Sequence, residues 1–499
     1  MSQRGRAALG GSLVALSGAA VAEGCAAALG TVGPTRAVSE MVRDQVPGPL
    51  ALTLIHLVGH WDKPLLVAGT VAGLASVGAL AGITSLRSRR LGYAVFGLLA
   101  LVGLLAQVPL TSVVKLLPIA IGSITWIVGH RMLLGGSVPS VDATQEPTSR
   151  RTFLKRAAFI GVVGTAAGVG GWWKGSTRRK LESARGLLRL PVDAGVEPQG
   201  ANLGLKGMAK WRTPNESFYR IDTALSPPYV APNTWRLRVH GLVDREITLT
   251  YEDLINRGLQ GRWITISCVS NEVGGPLVGN AYWSGVPVRE ILAEAGVQPG
   301  ADAVKQTSVD GWTCGTPLQA LLDEPDALLV VAMNGVPLPV EHGFPVRMVV
   351  PGLYGFVSAT KWLVDLEVTK FEDFSAYWTE RGWAEKATMK LTSRIDVPAD
   401  GATVGIGPTR FGGVAWSPGV GIEAVEVQLD GGAWEQAILG NVEGIDTWVQ
   451  WSIAATLDAG DHVVLVRARD KSGATQTAVV RDVVPDGATG WHKVEFTAS

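Results

Sequence analysis

Three clusters of residues in the second half of this 499-residue chain could do chemistry. Cys268 ends an apolar run and enters the polar loop "CVSNEVGG" (268–275). A thiolate there could ligate a soft metal or act as a nucleophile. It could equally close a disulfide with Cys314, the other cysteine of this half. The segment "EHGFPVRMVVPGLYGFVSATKWL" (341–363) sets His342, Arg347 and Lys361 in an otherwise apolar run punctuated by Gly and Pro. Such groups suit a phosphate, which takes charge-assisted donors. The plainer alternative is a strand pair with solvated charges at its ends. In "PNESFYRID" (214–222), Arg220 follows the aromatics Phe218 and Tyr219, and an arginine on a surface strand is the plain alternative to a functional cation. No His–Cys pairing has zinc-ligand spacing.

The elements that must position these groups are legible by period. "TWRLRVHG" (234–241) alternates and reads as a strand. "TYEDLINRG" (250–258) has a Thr cap, an acidic first turn and a Gly stop, so it reads as a short helix. "WITISCVSN" (263–271) is a strand running into the Cys268 loop, and "VPVREILAEAG" (286–296) is an amphipathic helix. "ALLVVAMNGVPLP" (327–339) is a buried strand followed by an Asn-Gly hairpin turn. Residues 211–388 are therefore expected to be α+β, after a connector at 176–210. Beyond 388 helix signals vanish. "GIEAVEVQLDGGAWEQA" (421–437) and "HVVLVRARDKSGATQTAVVRDV" (462–483) read as hairpins, so 389–499 is expected to be an all-β, immunoglobulin-like sandwich.

The first 175 residues differ in composition. Five segments, 8–30, 65–86, 91–110, 112–133 and 157–173, are apolar enough to be read as bilayer spans of about 20 residues. Spans three and four would form a hairpin near Pro109. Arginine and lysine clusters at Arg4/Arg6, at Arg87/Arg89/Arg90 and at Arg131/Arg150/Arg151/Lys155/Arg156 fall on one side if the N-terminus is cytoplasmic. Residues 1–148 then form a four-span, all-α membrane domain, and five crossings in all put 176–499 outside the cytoplasm. The basic group Lys174/Arg178/Arg179/Lys180 disagrees with that pattern. The stretch 149–175 opens with "SRRTFLK" and continues into a Gly-rich, mildly apolar span. It resembles a twin-arginine export signal, a route for folded proteins, placed inside the chain; the alternative is a basic cytoplasmic loop. His56, His60 and His130 read as polar residues at the membrane interface, with haem ligation as the alternative. Formal net charge is zero, and nothing in it points to nucleic acid.

The order of the pieces from 211 to 499 resembles the sulfite oxidase family of molybdopterin-dependent oxidoreductases. "FYR", the "SCVSN" loop, "NAYWSGVPV", "MNGVPLPVEHGFPVRMVVPGLYG" and "TKWL" stand in family order. The resemblance implies a Mo-molybdopterin, one molybdenum per chain, with Cys268 as the single protein thiolate on the metal. It implies that Asn215, Phe218, Tyr219 and Arg220 line the pterin and the substrate approach. His342 and Arg347 would hold the pterin phosphate, and Ser358, Thr360 and Lys361 would add contacts. Cys268 and Arg220 are the catalytic pair it implies, Arg220 facing an anionic substrate; Asn271 and Trp283 would support the loop. Residues 389–499 resemble the family's dimerisation domain, so a homodimer is expected. Insertion of the cofactor in the cytoplasm would explain the export signal.

The chain also departs from the animal-type members. Glu272 stands in the stretch where they carry a further arginine, and "GWTCGTP" (311–317), with Trp312 and Cys314, where they carry an active-site tyrosine. The substrate stays open between sulfite and an S-oxide or N-oxide. No cytochrome domain is visible, so haem is not expected, and electrons must pass to a separate cytochrome- or quinone-linked partner. The competing reading is a non-enzymatic cell-surface protein with a degenerate site and a Cys268–Cys314 disulfide.

Overall fold

The computed structural model describes residues 2–47, 50, 53–54, 57–58, 61–107, 113–134, 150–174 and 177–499. The chain divides into two compact units, Met1–Lys180 and Leu181–Ser499.

The first unit is helical. The helices Gln3–Leu29, Asp62–Ser85, Arg89–Leu105, Leu116–Leu134 and Arg150–Lys174 coincide with the five apolar segments. Three of them, Gln3–Leu29, Asp62–Ser85 and Leu116–Leu134, are long and apolar enough to cross a membrane. Arg89–Leu105 has only 17 residues, and the cationic start and many glycines of Arg150–Lys174 dilute its apolar character. Small residues let the first helix approach its neighbours: a Cβ on Gly11 would strike the Gly78 carbonyl, and one on Gly82 would strike that of Ala7. An amphipathic helix, Pro34–Gln45, also lies in this unit, beyond what the apolar pattern revealed. His130 is fully buried among the helices, and its Nε2 lies 2.8 Å from Ser85 Oγ. His56, His60, Pro109 and Ser149 lie outside the described residues.

The second unit begins with strands β1 (Arg236–Gly241), β2 (Ile247–Thr250), β3 (Gln260–Ser267), β4 (Val278–Pro287), β5 (Ala303–Ser308), β6 (Thr313–Pro317), β7 (Leu328–Met333), β8 (Val336–Pro337), β9 (Arg347–Val349) and β10 (Leu363–Thr369). One sheet runs β2-β1-β10-β5-β6, with β1 and β10 parallel. The other runs β3-β4-β7-β8, with β9 beside β7. Short helices interrupt them: Thr250 caps Tyr251–Asn256 in a reciprocal capping box with Asp253, and Gly296 ends Val288–Ala295 in a left-handed conformation. The expected Asn-Gly turn is present, with φ of 52° at Asn334 and 79° at Gly335.

From residue 392 the chain is all β. Strands β11 (Thr392–Val397), β13 (Gly407–Trp416), β16 (Ile438–Leu439) and β17 (Val449–Leu457) form one sheet. Strands β12 (Thr403–Val404), β14 (Ile422–Leu429), β15 (Trp434–Gln436), β18 (Gly460–Asp470) and β19 (His492–Ala498) form another. Phe411, Trp451, Val464, Val466 and Phe496 share a core between them. One expectation holds only at the turn: in 462–483, Arg469 pairs with Thr475 and Gln476 N donates to Ala468 O, but the return half beyond Gln476 leaves β18. The return half makes isolated bridges at Thr475 and Arg481. The buried side chain of Gln476 replaces the missing rungs, accepting from Ala468 N and Ser393 Oγ and donating to Gly490 O. The stretch read as a connector is docked in its later half. Leu203 N donates to Gln450 Oε1, Ala209 N donates to Asp396 Oδ2, and Ala201 is fully buried.

Candidate functional site

Cys268 is the first residue beyond β3, whose ladder with β4 ends at Ser267 opposite Val278. Cys268 N still donates to Leu277 O at 2.9 Å, and then the chain turns, Asn271 N donating to Cys268 O. Asn271 Oδ1 accepts from Leu277 N at 2.7 Å and ties off the loop. Trp283, opposite Arg262 on β4, is fully buried and donates from Nε1 to Ile264 O. Asn271 therefore ties the loop as expected, whereas Trp283 bonds to strand β3. The Cys268 thiol is buried, and burial pushes its pKa up; hydrogen bonds from Ser270 and the charge of Lys361 oppose that rise.

The segment 340–363 brings its polar and cationic side chains inward. His342 ends a single turn, Val340–His342; Arg347 opens β9; Lys361 lies just before β10. Arg347 is 3% exposed, and its acceptors are backbone carbonyls of His342, Met348 and Ala359, with no carboxylate among the described residues. Its guanidinium also lies 5.1 Å from the Trp283 ring centroid. Burial lowers its pKa to about 10 and that of Lys361 to about 8. Lys361 Nζ donates to Asp222 Oδ2 at 3.2 Å. Desolvation, aided by Lys361 and Arg347, holds His342 down to about 3. The reading of solvated charges at strand ends is thus overturned for all three residues. Trp362, next to Lys361, has φ of 50° and anchors its Nε1 on Val340 O. A buried tryptophan in the left-handed region is strained by about 1–2 kcal/mol, a cost that turns the Lys361 side inward against the 340–347 segment.

The segment 213–222 is coil, so Arg220 is not on a surface strand. Phe218 is buried, its ring 5.2 Å from Tyr219, 5.5 Å from Trp283 and 5.6 Å from His342. Asn215 is fixed from both ends: its Nδ2 donates to Met333 O, and its Oδ1 accepts from Asn334. Its carbonyl takes His342 Nε2 at 3.1 Å. Tyr219 is close enough to Cys268 for the thiolate's charge to add to the burial that raises the phenol's pKa. Arg220 is the outermost of the set and rests its Nε on Asp222 Oδ2 at 2.9 Å. The hydroxyl of Ser358 donates back to Tyr354 O and shapes its own loop.

Thr360 Oγ1 lies 3.3 Å from Cys314 Sγ. The cysteines are free, so the disulfide alternative is overturned. Cys314 is buried on β6, opposite Gln306 of β5, and burial raises its thiol to about 12. Asn334 and Asp222 join the site without having been singled out. Asn334 was readable only as a turn residue, although Asp222 stands two residues after Arg220 in the same motif.

The residues fit an anionic cofactor with a soft metal. A buried guanidinium without a counter-ion is costly unless an anion arrives. His342 Nδ1 is buried without a partner, while Nε2 donates to Asn215 O. That bare nitrogen can accept from a ring N–H, or take up a proton beside a phosphate and donate. A cleft of about 620 Å³ is lined by Asn215 together with Lys210, Arg212 and Asn334 among others. Cys268, His342, Arg347 and Lys361 are not among its lining residues.

Comparison with known proteins agrees with this geometry. Residues 224–378 match the family described as oxidoreductase molybdopterin binding domain. The chain is 38% identical over 167 residues to the uncharacterized oxidoreductase YuiH of Bacillus subtilis, covering 34% of this chain and 81% of that one. It is 30% identical over 344 residues to the mitochondrial sulfite oxidase of Homo sapiens, covering 58% of this chain and 62% of that one. The chain thus spans less than two thirds of the length of the mammalian sulfite oxidases it matches. Among solved structures, the sulfane dehydrogenase SoxCD from Paracoccus pantotrophus shares the fold, with a TM-score of 0.51 and 24% identity over 58% of this chain and 81% of that one.

Proposed function

The chain belongs to the sulfite oxidase family of molybdopterin-binding oxidoreductases, and on that footing we propose that it is a membrane-anchored, extracytoplasmic molybdenum enzyme. The observation that carries the reading is Arg347, a buried cation without a carboxylate partner among the described residues, in one cluster with His342 and with Lys361, whose charge reaches the buried, free Cys268. His342 and Arg347 hold the pterin phosphate, and Lys361 adds a contact to the pterin. Asn215, Phe218 and Tyr219 line the pterin, with Ser358 and Thr360 shaping its loop. Cys268 supplies the one soft protein ligand; metal binding would drive off the proton that burial retains. Bound there, the cofactor supplies two-electron redox chemistry, in this reading oxygen-atom transfer.

The protein's own part is to bind, orient and keep water out. Arg220 receives a small oxyanion or oxide; sulfite, an S-oxide and an N-oxide are the candidates. Electrons leave to a separate cytochrome- or quinone-linked partner. The basic clusters of the first unit favour a cytoplasmic N-terminus with five spans, and the twin-arginine motif favours export of the C-terminal part already folded. Residues 389–499 act as an immunoglobulin-like dimerisation domain.

The test is metal analysis of the purified full chain, made in a host that synthesises molybdopterin, with Arg150 and Arg151 intact. One molybdenum per chain is expected. Well-folded protein without molybdenum would sink the reading.

A further inference from the structure

Asp222 lies between two cations. Its Oδ2 accepts from Arg220 Nε at 2.9 Å and from Lys361 Nζ at 3.2 Å. Its side chain is 5% exposed, against 40% for Arg220. A carboxylate so far from water relies on charge-assisted partners such as these. The bond to Arg220 falls on Nε, at the base of the guanidinium. Neither Nη group of Arg220 donates to a protein acceptor among the described residues. Lys361 connects this pair to the rest of the site, because its charge reaches Cys268 and it feels that of Arg220.

On the reading that an oxyanion or oxide is turned over beside Cys268, we infer that Asp222 is a positioning residue, holding Arg220 by its base so that the Nη pair is presented to an anionic substrate. A guanidinium makes a two-pronged contact with an oxyanion only when its plane is held. The carboxylate provides that hold from a buried position, while the exposed end of the arginine stays available. Asp222 also fixes Lys361 in the same cluster, so one side chain sets the spacing of two cations.

This role can be separated from simple charge. Replacing Asp222 with asparagine adds one positive charge to the site. Charge alone then predicts tighter anion binding; loss of orientation predicts weaker binding. The two effects have opposite signs.

The experiment uses the full chain loaded with molybdenum, with inorganic sulfate as a non-reacting oxyanion probe followed by titration calorimetry. Sulfite turnover with an artificial acceptor gives KM and kcat. In Asp222→Asn, sulfate affinity should fall about tenfold, and KM should rise by a similar factor with kcat changed much less. Asp222→Glu should recover most of the affinity. Unchanged or tighter sulfate binding in fully loaded Asp222→Asn overturns the inference, as does absence of sulfate binding to loaded wild type. If Asp222→Asn does not load, Arg220→Lys decides. It keeps the charge and a partner for Asp222 but has no fork, so wild-type sulfate affinity there overturns the inference too. A wild-type chain that never carries molybdenum defeats the functional reading instead.

Discussion

Cys314 Sγ lies 3.3 Å from Thr360 Oγ1, and that contact assigns the second thiol to the floor beneath the 358–361 loop instead of to Cys268. The two cysteines therefore predict different phenotypes. Cys268→Ser should lose turnover at least ~100-fold together with any thiolate-to-metal absorption, because a hydroxyl is neither soft nor readily ionised. Cys314→Ser keeps a hydrogen-bonding group at Thr360 and should retain both within about threefold. Equal losses in the two variants would contradict the assignment.

Lys361 should make cofactor-free protein sensitive to alkaline pH in an unusual direction. Burial, opposed by Asp222, lowers its folded pKa to about 8. The unfolded chain holds that proton up to about 10.4, so between these values it binds more protons than the folded one. Stability should therefore rise with pH through that window, by about 3 kcal/mol at most. Thermal unfolding of cofactor-free wild type against Lys361→Met checks this. The slope should flatten in the variant, and a flat wild-type profile would contradict the prediction.

Asn334 both makes a turn and holds Asn215. Its φ of 52° suits asparagine or glycine, and its Nδ2 donates to Thr213 O and Asn215 Oδ1 while its Oδ1 accepts from Tyr282 N. Asn334→Gly keeps the turn and loses those bonds; Asn334→Ala loses both. Asn334→Ala should be the less stable of the two by about 1 kcal/mol. Both should bind the cofactor less tightly, since the carbonyl that takes His342 belongs to Asn215. Denaturant titration and molybdenum content would read the two effects separately.

Asp446 carries an avoidable repulsion. Its carboxylate lies within 4.8 Å of those of Glu324 and Asp326, and burial together with that repulsion raises its pKa to about 6. The folded state then binds more protons than the unfolded between about pH 4 and 6, so stability is lost as pH rises through that window. Asp446→Asn should raise stability at pH 7.5 by on the order of 1 kcal/mol and have no such benefit at pH 4. A gain of equal size at both pH values would contradict the electrostatic account.

The twin-arginine motif offers a test of topology. Replacing Arg150 and Arg151 together with lysine keeps the positive charge but removes the pair the export route reads. Residues 177–499 should then stay protected from protease added outside, with the earlier helices still inserted. Unchanged accessibility would favour the basic-loop reading.

Much of the site is legible in the order of the residues, and the reasons are local. Cys268 stands where an apolar strand meets a polar loop. His342, Arg347 and Lys361 are polar or cationic groups in a run too apolar to leave them unexplained. The missing parts depend on partners far apart in the chain. Asp222 finds Lys361 across 139 residues. The contact of Cys314 with Thr360 follows from which strand lies beside that loop, which no spacing reveals. Outside the site, Gln476 bonds like a strand with its side chain, so an alternating pattern misreads as a longer hairpin. His130 shows the same limit, since its burial depends on how closely glycine-rich helices meet.

The lone guanidinium of Arg347 bears on how such a chain could be sorted. Without its anion, the folded form holds a cation in a dry interior, so an empty molecule is the less stable one. Under the export route proposed above, only folded molecules are carried across. The unmatched charge would then bias sorting: loaded chains, being the more stable, would be carried more readily than empty ones.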